Sequence, residues 1–402
     1  MKILVVCQYY YPEQFRINDI CEQLVIDGHS VTVLTGLPNY PEGKVPYEYR
    51  GGKNRKEVHN GVQIIRSFEI ARGKGSLKLG LNYLSYMFSA SLKMLFMEKD
   101  FDLIFSYQLS PVTMVFPAII AKKITKSPMY LYSCDIWPES AKNIVSDEDN
   151  IIYKILKRIS SYIYSQPDGI GITSKPFFDY FNKVHSIPMD KLSYIPQHAE
   201  ETYLTIDSPE DNGTIDFVFM GNIGLAQDID CILNAVNELK DDYSFKVHLV
   251  GNGSYVENSM SIVKEKKLSN HVVFHGQHPL EDMPKFYKLA DACLLTLKAN
   301  NFIGQTMPSK LQGYMAAGRP VLAAINGAAQ EVIRKSECGV CVNAGDFKSL
   351  AEVMKDFIEK PDKYKQSGEN GRKFFVDNFT KKIYIEKILS EFSKIMEENK
   401  HV

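Results

Sequence analysis

The feature that most constrains the fold is an alternation of short apolar runs with stretches of helical periodicity, found in both halves of the chain. The opening run KILVVC is continuously apolar, and apolar residues from Ile17 to Val25 follow it at helical spacing before the next run, VTVL. Short continuous apolar runs are typical of parallel strands buried on both faces. The sequence therefore predicts an α/β fold built from βαβ units.

The alternation stops once and then starts again. GIGIT is expected to be the last strand of the first half, and DFVFM begins the second half after a polar, acidic segment that contains Pro209 and Gly213. We predict a Rossmann-like domain over 1–200, a linker over 201–213, a second Rossmann-like domain over 214–380, and a terminal helix over 381–402 that returns to the first domain.

The stretch NFIGQTMPSKLQGYMAAGRPVLAA, residues 301–324, predicts a loop, a helix and a buried strand. Thr306 and Ser309 are candidate caps of that helix, and Gly318 is its expected end. Lys310 is the unusual residue, because a cation in the first turn opposes the positive end of the helix dipole. A bound phosphate would offset that charge, so the stretch predicts an anion site, although a solvated surface lysine fits the same pattern.

Other turns of the second half have glycines that allow a ligand to approach the backbone closely. The turn MGNIGLAQD contains Gly221 and Gly224, with Asn222 and Gln227 as neutral hydrogen-bonding side chains. Two later strands are followed by further glycines, Gly251 and Gly276. We assign this set to donor binding, together with Thr306, Ser309 and Lys310.

The first half has polar residues at predicted strand ends, where doubly wound sheets bind ligands. The turn after the first strand lacks glycine, which argues against an NAD enzyme, and contains Arg16, a candidate anion ligand or a partner of Asp19. Asp135 and Glu139 follow the strand MYLYSC and are assigned to acceptor contact, with helix capping as the alternative.

The loop GLPNYPEGK, with Asn39 and Tyr40, is expected to close over an acceptor. Arg72 to Lys99 combines lysines with many apolar residues and fits either a membrane-surface helix or a helix buried on two sides.

Composition excludes several classes of protein. A net charge of −1 argues against a nucleic-acid-binding protein, and seven scattered cysteines indicate reduced thiols. No signal segment is recognised at the start, and no apolar run approaches the ~20 residues that span a bilayer, so a cytoplasmic location is expected.

Taken together, the motifs MAAGRPV, GNIGLAQD, GLPNYPEGK, DIWPES and PSKLQGYMA resemble the retaining GT-B glycosyltransferases of family 4, over nearly the whole chain. The resemblance implies two Rossmann-like domains that face a cleft. It is strongest to the bacterial branch of O-antigen and capsule assembly, which includes N-acetyl-L-fucosamine transferases.

Several charged positions of the family are changed in this chain. The two glutamates of the family's E-x7-E motif fall on Gln305 and Gly313, and its Arg and Lys in the glycine turn fall on Asn222 and Gln227. Among the expected anchors, Lys310 and Arg16 are left as the cations that hold the donor diphosphate, and Gln305 joins the donor-binding set.

The resemblance implies a hexosyltransferase that uses a nucleotide sugar, UDP-linked, and a lipid-linked saccharide acceptor. Lys310, Arg16 and Asp135 are the candidate catalytic residues, with no cofactor and no metal. It also implies peripheral attachment to the inner face of the cytoplasmic membrane. Two alternatives stay open: a GT-B-type UDP-sugar 2-epimerase and a two-lobed sugar-binding receptor.

Overall fold

The computed structural model describes residues 1–73, 75–142, 149–209, 212–299 and 306–400. The chain forms two compact units: Met1–Ile195 together with Ile385–Val402, and Pro196–Tyr384. Each unit contains a parallel sheet of the Rossmann type, so the predicted α/β class with two Rossmann-like domains is confirmed.

The strands of the first unit are β1 (Lys2–Val6), β2 (Ser30–Thr35), β3 (Lys56–His59), β4 (Val62–Arg66), β5 (Leu103–Gln108), β6 (Met129–Ser133), β7 (Gly169–Ile172) and β8 (Leu192–Tyr194). Their order in the sheet is β3-β4-β2-β1-β5-β6-β7-β8, and all pairs are parallel except β3 with β4. The chain changes direction across the sheet between β1 and β5. Such a switch point opens a crevice at the carboxyl ends of the strands.

Two strands of this sheet were not predicted. GIGIT forms β7, but the three-residue β8 follows it, so GIGIT is not the last strand of the first half. The four-residue β3, KEVH, is mostly exposed and polar, which leaves no apolar signal in the sequence. Both are edge strands, where pairing on one side is sufficient to hold a short segment.

The helices of the first unit are α1 (Arg16–Ile26), α2 (Ser76–Leu95), α3 (Phe116–Thr125), α4 (Ile151–Ser165) and α5 (Pro176–His185). Helix α2 buries a stripe one residue wide, formed by Asn82, Tyr86, Ala90 and Met94. Its opposite face is apolar and exposed, with Leu77 78% and Phe88 67% accessible. The alternative that this helix is buried on two sides is therefore wrong.

The second unit contains β9 (Ile215–Met220), β10 (Phe245–Val250), β11 (Val272–Gly276), β12 (Ala292–Thr296), β13 (Val321–Ala324) and β14 (Gly339–Val342). Its helices are α6 (Ile229–Leu239), α7 (Val256–Glu265), α8 (Met283–Leu289), α9 (Lys310–Ala316), α10 (Gly327–Ser336), α11 (Phe347–Glu359) and α12 (Lys365–Asn378). The sheet order is β11-β10-β9-β12-β13-β14, all parallel, so the switch point lies between β9 and β12.

The predicted linker over 201–213 needs correction. Tyr203 and Ile206 are 3% and 8% accessible and belong to the hydrophobic core of the second unit. The chain therefore enters the second unit at Pro196, because these apolar side chains bury surface there rather than bridging two domains.

The last helix, α13 (Lys381–Asn399), belongs to the first unit from Ile385 onward. Its Phe392 is fully buried, with its ring 5.2 Å from that of Phe105 and 5.6 Å from that of Tyr130. None of the helices in the described ranges is long and apolar enough to cross a membrane.

Candidate functional site

Lys310 is the first residue of α9, the helix that leads into β13 at the carboxyl edge of the second sheet. Ser309 occupies the N-cap position, as predicted, but its side chain makes no cap hydrogen bond and is exposed. Residues 311 to 316 are buried, and Gly318 follows at a φ of +65°. With only seven residues, α9 has a weak dipole. The evidence for an anion site is therefore the environment of the Lys310 ammonium.

The ammonium nitrogen of Lys310 is buried, although part of the residue reaches solvent. It has no hydrogen-bond partner within the described part of the chain. It lies 3.7 Å from the centre of the Phe219 ring, a cation–π contact. Burial lowers the pKa of Lys310 to about 7. A buried ammonium without a hydrogen-bond partner is costly, and a nearby anion would relieve that cost.

Gly221, at the carboxyl end of β9, lies directly against Lys310. Its φ is +124°, which favours glycine, and a Cβ placed there would be 3.3 Å from the Lys310 Nζ. The structure thus brings together two predicted donor-binding residues from separate parts of the sequence. Their meeting place is the switch point of the second sheet.

Gly251 packs against the turn that contains Gly221, and its donor contact stays a prediction. A Cβ on Gly251 would lie 1.9 Å from the carbonyl oxygen of Gly221, and its φ is +143°. The Gly251 amide donates to the Gly276 carbonyl at 2.8 Å, and the Gly221 amide donates to Val250 at 2.9 Å. These glycines allow three successive turns to pack backbone to backbone, and that packing fixes the position of Gly221.

Asn222 and Gln227 hold the shape of the same turn. The Gln227 Oε1 accepts from the Gly224 amide at 3.1 Å and from the Asn222 side-chain amide at 3.2 Å. Both side chains are therefore engaged with the turn itself, and direct donor contact by them stays a prediction. Thr306 is half-buried, and Gln305 lies outside the described residues.

The sequence analysis does not identify two residues at this edge, Lys298 and Tyr314. Lys298 lies two residues after the end of β12. Its amide donates to the Ala226 carbonyl at 2.9 Å, and its ammonium lies 5.9 Å from the Tyr255 ring centre. Tyr314 of α9 accepts a hydrogen bond from the Met220 amide at 3.0 Å, which ties α9 to the end of β9. The position of Lys298 after an apolar run, ACLLTLK, is a signal that the sequence did contain.

The carboxyl edge of the first sheet is occupied by a buried polar network. Glu69 Oε1 accepts from Gln8 at 2.8 Å, from Asn39 at 3.2 Å and from Asn82 of α2. Glu13 accepts from the backbone amide of Asn39 at 2.6 Å. Asn39 is 2% accessible and has a structural role in this network, and its acceptor contact stays a prediction.

Burial dominates the acid–base properties of that network. It raises the pKa of Glu69 to about 8 and the pKa of Glu13 to about 7. The Glu69 Oε2 is buried without a hydrogen-bond partner among the described residues, and it faces Gly36, where a Cβ would lie 1.7 Å away. Sequence reasoning missed both acids, because their partners are distant in the chain.

Tyr40 is the accessible member of the predicted acceptor loop. It is 45% accessible, and its ring packs 5.5 Å from Phe15 and 5.4 Å from the Arg72 guanidinium. Arg16 is half-buried at the first position of α1.

Asp135 and Glu139 are held by neighbouring side chains. The Asp135 carboxylate accepts from the Ser110 and Ser140 hydroxyls and from the Ile136 amide at 3.0 Å. Burial raises the pKa of Asp135, and these hydrogen bonds oppose the rise. Glu139 is 3% accessible, pairs with Lys142 at 2.6 Å and accepts from Tyr153 at 2.8 Å. Glu139 therefore has a structural role, and its acceptor contact stays a prediction.

No cluster of three or more metal-ligating side chains occurs among the residues that the structure describes. Asp149, an acid of the loop before α4, is exposed and pairs with Lys154 at 3.0 Å. Asp228 directly precedes α6 with a left-handed backbone. Burial raises the pKa of Asp228, and Lys298 opposes the rise.

The second unit carries the signature of a known enzyme family, because residues 205–374 match the family described as glycosyl transferases group 1. This part of the chain is similar to the group 1 glycosyltransferases. The match spans Gly221, Lys298 and Lys310, so the buried ammonium lies within the part of the chain that the family describes.

Similar proteins agree with this result. The chain is 26% identical to a probable glycosyltransferase WbjE of Pseudomonas aeruginosa over 281 residues, 66% of this chain and 68% of that protein. It is 23% identical to the O-antigen chain mannosyltransferase C of Escherichia coli, over 99% of both chains. The structure of Anabaena HepE in complex with UDP-glucose superposes with a TM-score of 0.72 and 15% identity, over 98% of this chain and 100% of that chain. The fold is therefore that of the GT-B glycosyltransferases.

Proposed function

We propose that the protein is a retaining glycosyltransferase that moves a sugar from a UDP-linked donor to a lipid-linked saccharide. The acceptor would be an intermediate of a bacterial surface polysaccharide, O-antigen or capsule, at the inner face of the cytoplasmic membrane. The observation that carries the proposal is the buried Lys310 ammonium, which meets Gly221 at the switch point of the second sheet.

The donor class follows from the chemistry of that edge. A diphosphate supplies the anion that a buried ammonium requires, and backbone amides of glycine turns allow close approach. UDP is favoured over other nucleotides by the likeness to HepE, whose structure contains UDP-glucose. The transferred sugar is proposed to be N-acetyl-L-fucosamine or another amino sugar, on the resemblance of the chain's motifs to that branch.

Lys310 would act on the leaving group. Charge develops on the departing diphosphate as the bond to the sugar breaks, and a fixed cation beside it lowers the barrier without rearranging. Because the pKa of Lys310 is about 7 in the free protein, the anion also determines its protonation, holding the proton on Nζ when donor is bound. No metal or cofactor is proposed for this step.

The first unit would bind the saccharide acceptor. Tyr40 is the accessible aromatic residue of the predicted loop, and sugars stack on such rings. Arg16 and Asp135 remain the proposed catalytic partners of Lys310 from this unit. The Asp135 carboxylate is oriented by three hydrogen bonds, an arrangement suited to receiving an acceptor hydroxyl.

The 2-epimerase and the sugar-binding receptor are less well supported. The family match and the relatives described above carry glycosyltransferase names. A 2-epimerase interconverts a free nucleotide sugar without acceptor, whereas a transferase consumes donor only when acceptor is added. A receptor would bind sugar and leave the donor unchanged.

The experiment is a two-part assay on wild type and Lys310→Met. First, thermal unfolding is followed with UDP, GDP and their sugars; a ligand at 100 times its Kd should add about 2.7 kcal/mol of stability. Second, the stabilising nucleotide sugar is incubated with and without lipid-linked saccharide, and both free sugar and glycolipid are analysed.

We expect stabilisation by UDP and its sugars in wild type, a much weaker effect in Lys310→Met, and acceptor-dependent formation of glycolipid with retained anomeric configuration. Epimerised donor without acceptor, or equal stabilisation of the two proteins, would contradict the proposal.

A further inference from the structure

A cavity of about 1180 Å³ lies at the amino edge of the second sheet. Its wall includes the residues just before four strands: Thr214 before β9, Ser244 before β10, Asp291 before β12 and Pro320 before β13. Lys310 lies at the opposite, carboxyl edge. A strand of six residues such as β9 is about 17–20 Å long, so the cavity is distinct from the proposed donor site.

Arg319 is a charged residue in the wall of this cavity, and it is only 3% accessible. Its Nε donates to the Tyr287 carbonyl at 2.7 Å, and its Nη2 donates to the Asp207 carbonyl. Burial lowers the pKa of Arg319, the positive charge of Arg372 acts in the same direction, and Asp291 and Asp207 oppose it. The hydrogen-bond acceptors of this buried guanidinium are thus neutral main-chain carbonyl groups.

Arg372 of α12 is the second arginine in the wall. Its Nη2 donates to the carbonyls of Ile206 at 2.9 Å and Ala317 at 3.1 Å. Its Nε is buried and has no hydrogen-bond partner in the described part of the chain. The guanidinium lies against Gly318, where a Cβ would be 3.0 Å from the Arg372 Nε. Like Arg319, this residue carries a charge that is held by neutral groups.

The exposed charges at the mouth of the cavity balance one another. Along α12, Lys365, Glu369, Lys373 and Asp377 follow at intervals of four residues, so they share one helix face, and they alternate in sign. All four are exposed. The two arginines are therefore the positive groups in the interior of the cavity. Their planar forks of N–H donors match a phosphate or carboxylate.

The rest of the wall is polar in a different way. Thr205, Thr214 and Ser244 contribute hydroxyl groups, and Asp207 and Asp291 are acids. A carboxylate repels a bare anion, but it accepts hydrogen bonds from hydroxyl groups. This mixed wall fits a ligand that is anionic at one end and carries hydroxyl groups along the remainder.

From these observations we infer that the cavity binds a sugar phosphate. The phosphate lies at Arg319 and Arg372, where it balances two charges and supplies an acceptor for the Arg372 Nε. The sugar hydroxyls face Asp207, Asp291 and the hydroxyl side chains. Sites for small organic ligands commonly measure about 300–1,000 Å³, so the cavity is large enough for a hexose phosphate. The inference does not rest on the proposed function, because it concerns the opposite edge of the sheet.

The test is calorimetric titration of the full chain in phosphate-free buffer. The probes are the 1- and 6-phosphates of glucose, galactose and mannose, with the free sugars and inorganic phosphate for comparison. Arg372→Gln removes one charge, and Ser244→Trp narrows the cavity from an exposed position without touching either arginine. The matched controls are Arg334→Gln on α10 and Ser261→Trp on α7, both at exposed positions outside the cavity. Lys310→Met reports binding at the donor edge.

We expect one hexose phosphate to bind per chain in wild type, in both controls and in Lys310→Met. Arg372→Gln and Ser244→Trp should each weaken that binding by about tenfold or more. Free sugar and inorganic phosphate should each bind at least about tenfold more weakly than the sugar phosphate, since each makes only part of the contacts. If Arg372→Gln does not fold, Ser244→Trp alone decides.

Absence of binding by all six sugar phosphates would overturn the inference. Inorganic phosphate that binds as tightly as the best sugar phosphate would also overturn it, because the site would then recognise the anion alone. Sugar phosphate binding that is lost in Lys310→Met but kept in Arg372→Gln and Ser244→Trp would place the ligand at the donor edge, which overturns this inference and leaves the proposed function intact.

Discussion

The carboxyl edges of the two sheets each contain a buried ionisable group, but the hydrogen-bond partners of the two groups differ. In the first unit, Glu69 is surrounded by amide donors from Gln8, Asn39 and Asn82. In the second unit, the Lys310 ammonium lies over the Phe219 ring and has no hydrogen-bond partner within the described ranges. Burial shifts both toward the neutral form, raising the pKa of Glu69 to about 8 and lowering that of Lys310 to about 7.

We propose that the difference separates a structural edge from a ligand-binding edge. The Glu69 network joins the segment after β1, the loop after β2 and α2, and three side-chain amides donate to the Glu69 Oε1, although the Oε2 has no partner among the described residues. The Lys310 ammonium has no hydrogen-bond partner at all within those residues, and an anion would supply one. A buried charged group of this kind is a candidate functional position.

The largest expected effect is on stability, from Glu69→Ala. The substitution removes the acceptor that three buried side-chain amides share. Each amide keeps a second acceptor, so each cost lies at the low end of roughly 1–3 kcal/mol, and we expect a loss of about 3–5 kcal/mol in unfolding free energy. Glu69→Gln keeps an acceptor oxygen and should cost far less. Denaturant unfolding of the two variants measures this, and equal costs would show that the network is unimportant.

The next effect is on donor use, from Lys310→Met. Loss of a charged hydrogen bond of roughly 1.5–3 kcal/mol predicts a fall in transfer of about ten- to more than hundred-fold. The apo protein should become more stable, because a buried cation is replaced by an apolar side chain of similar length. Lys285→Met, at an exposed lysine paired with Asp282, is the control and should change neither property. Unchanged turnover and nucleotide affinity in Lys310→Met would show that Lys310 does not bind the donor.

The two edges also predict opposite pH dependences of stability. Glu69 has a folded pKa of about 8 against 4.5, so the folded state binds more protons than the unfolded state, and its contribution to stability is lost as pH rises from about 4.5 to 8. Lys310 has a folded pKa of about 7 against 10.5, so its contribution rises as pH increases from about 7 to 10.5.

Melting temperatures across pH test this directly. The melting temperature of Glu69→Gln should rise relative to that of wild type from pH 5 to pH 8, and that of Lys310→Met should fall relative to wild type from pH 7 to pH 10. If the curve of either variant runs parallel to that of wild type, the substituted residue has an ordinary pKa in the folded protein.

The smallest effects are expected from Arg16→Ala and Asp135→Asn. Both residues are half-buried at the first edge, and both should lower transfer while leaving folding intact. For Asp135→Asn the amide still accepts from the Ile136 amide, so the melting temperature should stay within a few degrees of wild type. Insoluble protein would show that the Asp135 carboxylate is structural, which would weaken the contrast between the edges.

The sequence predicted the second edge better than the first. Lys310 and Gly221 lie in motifs with a local physical signal: a cation in a first helical turn and a glycine after an apolar strand. Glu69 has no such signal, because its burial depends on Gln8, 61 positions away, and on Asn82. Local periodicity carries no information about partners at that distance.

Similar reasons explain the other differences. The burial of Asn39 depends on the same network, and a polar loop by itself predicts exposure. The linker was placed too late because Tyr203 and Ile206 are apolar residues scattered in an acidic segment, and only the packed structure shows which core they join. Helix α2 was ambiguous between two roles, since composition does not reveal which apolar face is covered.

The central claim is that the Lys310 ammonium binds the donor phosphates. Calorimetric titration of UDP at pH 8, in buffers of different ionisation enthalpy, tests it most directly. Lys310 is largely neutral in the free protein at this pH, since its pKa is about 7, so binding of the phosphate anion should draw up to about one proton from the buffer. We predict proton uptake in wild type and none, with weaker binding, in Lys310→Met. Equal affinity and equal proton exchange in the two proteins would contradict the account.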